Sequence, residues 1–535
     1  MNAAKEEVFK KSYPPGMPHA IAELRFRSLA EMIEECCLLH GERVAVVEGG
    51  ENLSYRQLLE KSGALVAYLV SELGLNAGDR VALMMPNVLA YPIGICGVLR
   101  AGCVVVNVNP LYTPRELRHQ LRDSGARAII VAEPYLDTVK AVLHETSIKT
   151  IIVAPAPGKA PDCDSADTVP LATALASSYK PMSRPRHYTD PAVIQYTGGT
   201  TGLSKGAELT QGNILSNLEQ FWTWTSTANT PTQDVIITAL PLYHIFAFTV
   251  NFLSFFGRGA TNVLIPNPRD LPGLVAAMKR ERFTAITGVN TLFNGLLNTP
   301  GFADLDFSCL RLAMGGGAAV QPAVARRWQE VTGKPIVEGY GLSETSPVLT
   351  VNRLDQQEFR SGIGLPLPST DISIRDDEGR PVAPGEAGEL CARGPQVMRG
   401  YWNRPDDSAK AFTDDGYFRT GDVAMQDEEG YFHIVDRKKD MVLVSGFNVY
   451  PNEVEAVCAE HAGVLESACV GIPDEKTGEA VKVFVVKRDP SLTEGSLIEH
   501  CRQNLAAYKV PRQVHFLAEL PKSPVGKILR RELRS

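Results

Sequence analysis

The residue types best suited to chemistry cluster in one stretch, Thr197-Gly198-Gly199-Thr200-Thr201-Gly202-Leu203-Ser204-Lys205-Gly206. Glycines let the backbone curl until successive N–H groups face one anion, and threonine hydroxyls add further donors. Lys205 supplies a point charge for a phosphate. The Gly-Lys-Ser/Thr ending of a Walker A loop is absent, so this is a different kind of phosphate cradle. Standing alone, the stretch reads more simply as a Gly/Thr turn with no ligand.

The elements that must position it can be read from the apolar pattern. The run Ala192-Val-Ile-Gln-Tyr196 precedes the loop as a strand, and a helix is expected to start within Ala207 to Asn213. Short β-branched runs recur at Arg80 to Met85, Cys103 to Val108, Ala128 to Ala132 and Thr150 to Ala154. They do not alternate, which implies strands buried on both faces and parallel sheets with helical crossovers. Ala154 to Arg186, rich in Pro, Ser, Ala and Asp, reads as a linker between subdomains. From about Gly362 the segments become short and alternating, as in Asp371 to Arg375 and Gly388 to Ala392, which implies a small antiparallel β unit. After Asp440 a strand is expected at Met441 to Val444, a helix at Pro451 to His461 and another near Leu497 to Leu505. These make a small α+β unit. The fold class is therefore α/β, a large N-terminal domain of parallel sheets plus a β unit, followed by the smaller domain.

A chain of 535 residues is long enough for several cores. Its net charge of −7 argues against a nucleic-acid partner. Ten scattered cysteines form no CxxC or His-Cys cluster, so they read as small buried hydrophobes in a reducing compartment. The charged N-terminus lacks the apolar core of a signal peptide. The most apolar stretch, Ile245 to Gly257, falls short of the roughly 20 residues that span a bilayer and is expected to be a buried helix. Ile21 to Leu29 fits a basic, apolar helix that packs on the domain. The cytoplasm is the expected location.

Four further segments give the loop a context: Gly339-Tyr-Gly-Leu-Ser-Glu-Thr345, Tyr417-Phe-Arg-Thr-Gly-Asp422, Asp436-Arg-Lys-Lys-Asp440 with Ser445-Gly-Phe-Asn-Val-Tyr-Pro451, and Pro521-Lys-Ser-Pro-Val-Gly-Lys527. With the loop, and in this order, they resemble the signatures of the acyl-adenylate-forming enzymes, over nearly the whole chain. Within that group the bacterial long-chain fatty acyl-CoA ligases look most similar, through Asp414 to Lys438, Leu240 to Phe246 and Gly288 to Phe293.

The resemblance implies ATP-dependent activation of a carboxylic acid, with coenzyme A as the second acceptor. It implies that Thr197, Gly198, Gly199, Thr200, Thr201, Gly202 and Lys205 hold the phosphates, and that Thr200 and Glu344 hold Mg²⁺. Tyr340, Gly341, Ser343 and the run Gly315-Gly316-Gly317 would face the adenine side. Asp422 and Arg437 would hold the ribose. Lys527 and His244 would act with Glu344 at the reacting centre, Lys527 reaching carboxylate and α-phosphate together. Without the resemblance, Lys522, Lys527, Arg530 and Arg531 would read as a solvated basic tail. The implied domains are residues 1–435 and 441–535, joined by a hinge at 436–440 with Lys439 as its pivot. Ser445, Gly446 and Phe447 would line the passage for coenzyme A.

The acyl group is expected in a tunnel lined by Phe246, Phe248, Val289, Leu292 and Phe293 and left open by Gly341. Burying about 14 methylenes is worth on the order of 11 kcal/mol at most. Gly198 stands where a serine is frequent in the wider family, Ser204 where a proline is, Ser343 where a threonine is and Ser369 where glycine is usual. Peripheral contact with the inner face of the cell membrane and a homodimer are both compatible with the sequence. Rival readings are a shorter, branched or aromatic acid, transfer to a separate carrier protein, and a catalytically silent nucleotide- or acyl-binding protein. The joint presence of Lys205, Glu344, Asp422, Arg437 and Lys527 argues against the last.

Overall fold

The computed structural model describes residues 9–155, 167–177, 184, 186–197, 204–226, 233–437, 440–445, 447–474 and 477–534, with Arg437 as backbone only. Among them, strands form sheets of nine, eight, four and five strands.

The unalternating runs pair as expected. Arg80–Met84 lies between Val104–Asn107 and Ala128–Ala132, and Ala128–Ala132 pairs with Thr150–Ala154, all parallel. Both faces are covered, so every residue of Val104–Asn107 and Ala128–Ala132 is buried. The nine-stranded sheet runs through Val235–Thr238, Ala285–Gly288, Leu312–Gly315 and Ile336–Gly341 as parallel neighbours. One continuous core joins residues of both sheets and their helices and includes Tyr55, Phe248, Phe252, Phe293 and Trp328. Ile245 to Phe256 is helical and buried, with Ala247–Ser254 wound as a π-helix.

The antiparallel unit is also present, Asp371–Arg375 with Gly388–Arg393, Phe418–Gln426 and Phe432–Arg437. Beyond it, Val442–Val444 opens a separate sheet, covered by helices Pro451–Glu460 and Glu494–Asn504. Its core of Val442, Val454, Val483 and Leu497 is distinct from the larger one.

Two expectations need correction, and a third is met, since a helix does start within Ala207 to Asn213. Lys205–Thr210 is a strand running antiparallel to Pro191–Thr197, and the helix begins at Gln211. Thr210 caps it, its hydroxyl accepting the Asn213 N–H while Asn213 reaches back to the Thr210 N–H. That capping box was the start signal. The phosphate-type loop is therefore a connection between antiparallel strands, and Gly206 is needed for their pairing, since a Cβ there would lie 2.5 Å from the Ile194 side chain.

Residues 21–28 form no helix. The Ile21 N–H donates to the Ser369 hydroxyl and the Ser369 N–H to the His19 carbonyl, which holds the chain open until Ser28 caps Leu29–His40. Ser369 itself has φ +62°, the left-handed region that explains a preference for glycine there. The linker contains structure too: Thr168–Pro170 adds a parallel edge strand beside Thr150–Ala154, followed by the short helix Leu171–Ala174.

Candidate active site

The strand Gly400–Tyr401 pairs with Lys205–Thr210, which places Tyr401 between two of the expected site residues. Its hydroxyl donates to Glu344 Oε1 at 2.9 Å, and Lys205 Nζ lies 5.3 Å from its ring centre. Lys205 is also paired with Asp407, Nζ to Oδ1 at 3.0 Å. Glu344 sits in the single turn Ser343–Thr345 and is 9% exposed. Thr197 ends its strand at the edge of this group, while Gly198, Gly199, Thr200, Thr201 and Gly202 lie outside the described residues.

A second group forms where the nine-stranded sheet meets the antiparallel one. Tyr340, near the end of Ile336–Gly341, donates its hydroxyl to Asp422 Oδ2 at 2.6 Å. Asp422 is almost buried and stands opposite Arg437 in the ladder, although the Arg437 side chain is outside the described set. Gly315 closes the neighbouring strand, and Gly317 takes φ +76°. Close packing keeps the run bare: a Cβ at Gly315 would come within 2.5 Å of Val320, and one at Gly316 within 2.8 Å of the Phe246 ring. Behind it, Glu338 accepts the Val320 N–H at 2.7 Å, and burial pushes its carboxyl up to about 8. Gly341 has a local reason to be glycine besides tunnel width. A Cβ there would lie 1.8 Å from the Pro347 carbonyl oxygen.

The C-terminal turn reaches the same region. Ser523 donates its N–H to the Lys527 carbonyl at 2.7 Å, its hydroxyl accepts the Lys527 N–H at 3.1 Å, and Gly526 turns with φ +80°. The Thr291 hydroxyl donates to the Gly526 carbonyl at 2.8 Å, and Asn294 Nδ2 to the Leu465 carbonyl at 3.0 Å. These bonds join helix Asn290–Leu297 to the smaller domain. His244 feels the result. Burial, and then the Lys527 charge, lower its pKa to about 4, so the ring is neutral at pH 7. Its Nδ1 accepts the Phe246 N–H at 3.3 Å, which assigns the ring proton to Nε2.

The expected acyl residues divide. Phe246 borders Gly316, and Val289 lies close to both Gly317 and Gly526. Leu292 is buried against Gly288, and Phe293 packs edge-on to Trp328 with centroids 4.9 Å apart. Phe248 is fully buried inside the π-helix.

Lys439 and Gly446 are outside the described residues. Around the expected hinge, Asp436 is fully buried and Arg530 Nη1 lies 3.5 Å from it and 3.7 Å from Asp440. Arg530 also pairs with Glu455 at 2.8 Å, and Lys522 with Glu466 at 2.8 Å, so the basic tail is engaged rather than solvated. Ser445 takes φ +52° and donates its N–H to the Thr477 carbonyl, while the half-exposed Phe447 stacks on Tyr508 with centroids 4.9 Å apart.

Sequence reasoning missed Tyr401, Asp407, Thr291 and Arg530. Only Arg530 carried a signal, as a cation close to Lys527; the others are brought in by pairing and packing that no spacing encodes. Among the described residues no group of three or more His, Cys, Asp or Glu side chains is arranged to hold a metal. A Mg²⁺ bound mainly by substrate oxygens and one or two protein groups needs no such cluster, and the nearly buried Glu344 carboxylate fits that role.

Residues 33–402 match the family described as AMP-binding enzyme, and residues 453–527 match the AMP-binding enzyme C-terminal domain. The chain is 52% identical to the long-chain-fatty-acid–CoA ligase of Yersinia pestis, over 99% of this chain and 98% of that one. Its fold is similar to the anthranilate CoA ligase AuaEII in complex with anthranoyl-AMP, with TM-score 0.87, 25% identity and coverage of 96% and 97%. It is also similar to ATP-bound MatB from Rhodopseudomonas palustris, with TM-score 0.83, 30% identity and coverage of 94% and 98%.

Proposed function

The chain belongs to the AMP-binding enzyme family, and from that membership we infer a long-chain-fatty-acid–CoA ligase that forms acyl-CoA through an acyl-adenylate. The observation that supports the chemistry is the docking of Gly526 on Thr291, with the Lys527 charge close enough to act on His244.

In the first step an oxygen of the fatty carboxylate attacks the α-phosphorus of ATP. The new P–O bond forms as the bond to pyrophosphate breaks. Two anions must approach, so the protein's main task is to cancel charge. Lys527 bridges them, Lys205 and the loop glycines hold the leaving phosphates, and neutral His244 can donate from Nε2 without adding a repelling charge to Lys527. Glu344 and Thr200 would hold Mg²⁺, which would neutralise phosphate charge. Tyr401 keeps the Glu344 carboxylate oriented. Asp422 and Arg437 take the ribose, with Tyr340 against the base.

In the second step the coenzyme A thiolate attacks the adenylate carbonyl and AMP leaves. We assign the domains to residues 1–435 and 441–535, with rotation about 436–440 and Lys439 as pivot. The rotation withdraws Lys527 and brings Ser445, Gly446 and Phe447 to the thiol passage. Phe246 and Val289, which border the glycine run and the Lys527 turn, support an acyl channel that opens at the reacting centre.

The nine described cysteines are free, which fits a cytoplasmic reaction. No helix of the described residues is long and apolar enough to cross a membrane. Peripheral membrane contact and a homodimer complete the reading, and vesicle flotation and sedimentation test them.

The substrate is tested by kcat/KM for acids from acetate to oleate with ATP and coenzyme A. It should rise with chain length. A maximum at four carbons, or with an aromatic acid, would refute the long-chain assignment.

A further inference from the structure

A pocket of about 450 Å³ lies outside the site described, lined by Arg115, Arg118, His119, Arg122, Asp123 and Arg404. Positions 115, 118, 119 and 122 form one stripe of helix Pro114–Ser124, because residues three, four and seven apart share a face. Four guanidinium groups therefore face one space on a chain whose net charge is −7. Such a concentration against the overall sign marks a local anion field.

The internal pairing does not cancel it. Arg404 lies 3.3 Å from Asp123 Oδ1, and the Tyr196 hydroxyl donates to Asp123 Oδ2 at 2.7 Å, so that carboxylate is already engaged. Arg118 is paired with Glu145 at 2.9 Å. Arg115 and Arg122 make no ion pair with any described residue. The pocket also touches both ends of the phosphate loop. His119 Nε2 is 2.8 Å from the Ser204 carbonyl oxygen, where the loop ends, and its ring packs edge-on to Tyr196, just before the loop begins.

We propose that this pocket binds a phosphate-rich anion, and that its ligand is the pyrophosphate leaving the adenylation site. The identity of the ligand rests on the ligase reading; the anion site does not. Arginine forks match phosphate oxygens bidentately, and an oligophosphate can use several at once. His119, bonded where the loop ends, sets this stripe next to the site from which pyrophosphate would depart. A lipid phosphate headgroup carries the same chemistry from a different source.

The test is calorimetric titration of the full chain saturated with α,β-methylene-ATP, whose own triphosphate fills the loop. Inorganic pyrophosphate should still bind this complex. R115A/R122A should bind it about tenfold more weakly or worse, with affinity for α,β-methylene-ATP and the unfolding midpoint unchanged. No uptake by the parent complex, or equal uptake by both, would overturn the proposal. If the alanine variant does not fold, R115K/R122K retains charge without the fork and should bind about threefold or more weakly; parent-like binding would overturn it equally. A parallel arm uses phosphatidylglycerol and phosphatidylcholine vesicles. Loss of phosphatidylglycerol binding in the variant, with no pyrophosphate uptake by the parent, would overturn the leaving-group assignment in favour of a headgroup. Turnover of fatty acid is measured separately, so failure of the pocket and failure of the ligase reading are distinguishable.

Discussion

The Thr291 hydroxyl donates to the Gly526 carbonyl at 2.8 Å, across the boundary between the two domains, one residue before Lys527. A single neutral hydrogen bond of this kind is worth about 1 kcal/mol net. Thr291→Val should therefore slow adenylate formation by roughly fivefold. Thioester formation from preformed oleoyl adenylate, assigned above to the proposed rotated arrangement, should be nearly unchanged. Rapid-quench kinetics of the separate half-reactions read both, and equal slowing would contradict the docking role.

Arg530 ties the C-terminal segment to Asp436 and Asp440, at the two ends of the proposed hinge. It is mostly buried among Asp436, Asp440 and Glu455. Removing one partner of a buried charge group leaves the others uncompensated, at about 3–5 kcal/mol. Arg530→Ala should shift urea unfolding of the smaller domain by that order, while an exposed control such as Arg502→Ala should shift it little. Equal effects would mean that the cluster contributes nothing special.

The Tyr401 hydroxyl holds Glu344 at 2.9 Å. Tyr401→Phe keeps the ring beside Lys205 and removes the bond. The concentration of Mg²⁺ giving half-maximal adenylation should rise by about threefold to tenfold. Titration of Mg²⁺ binding to the ATP-loaded protein, followed calorimetrically, should move in parallel. No change in either would remove Tyr401 from the account.

His244 should give stability a pH dependence of known sign. Its folded pKa is lowered to about 4 from 6.5. Between those values the unfolded chain takes up a proton that the native ring refuses, so stability is lost as pH falls through this window. The upper limit is about 3 kcal/mol for a shift of this size. His244→Gln should flatten the unfolding free energy between pH 6.5 and 4 relative to the parent, and an unchanged slope would place the effect elsewhere.

Much of this was legible in the sequence, and for identifiable reasons. Ala128 to Ala132 is apolar without alternation, and it is a strand buried on both faces. Asp371 to Arg375 lies between turns, and it joins an antiparallel sheet. The helix expected within Ala207 to Asn213 begins at Gln211, where the capping pair Thr210 and Asn213 fixes its start. Tyr340 and Asp422 were both named, but their contact was not, because it depends on two sheets meeting. Tyr401 was invisible for the same reason. Its spacing from Glu344 means nothing until Gly400 and Tyr401 pair with the strand that follows the phosphate loop.

In the proposed reaction Lys527, carried on the smaller domain, completes the adenylation site. Acid-dependent exchange of labelled pyrophosphate into ATP, with oleate and without coenzyme A, reports that step alone. Lys527→Ala should reduce the exchange to background while the protein still binds ATP. Exchange close to that of the parent would rule out that role for Lys527.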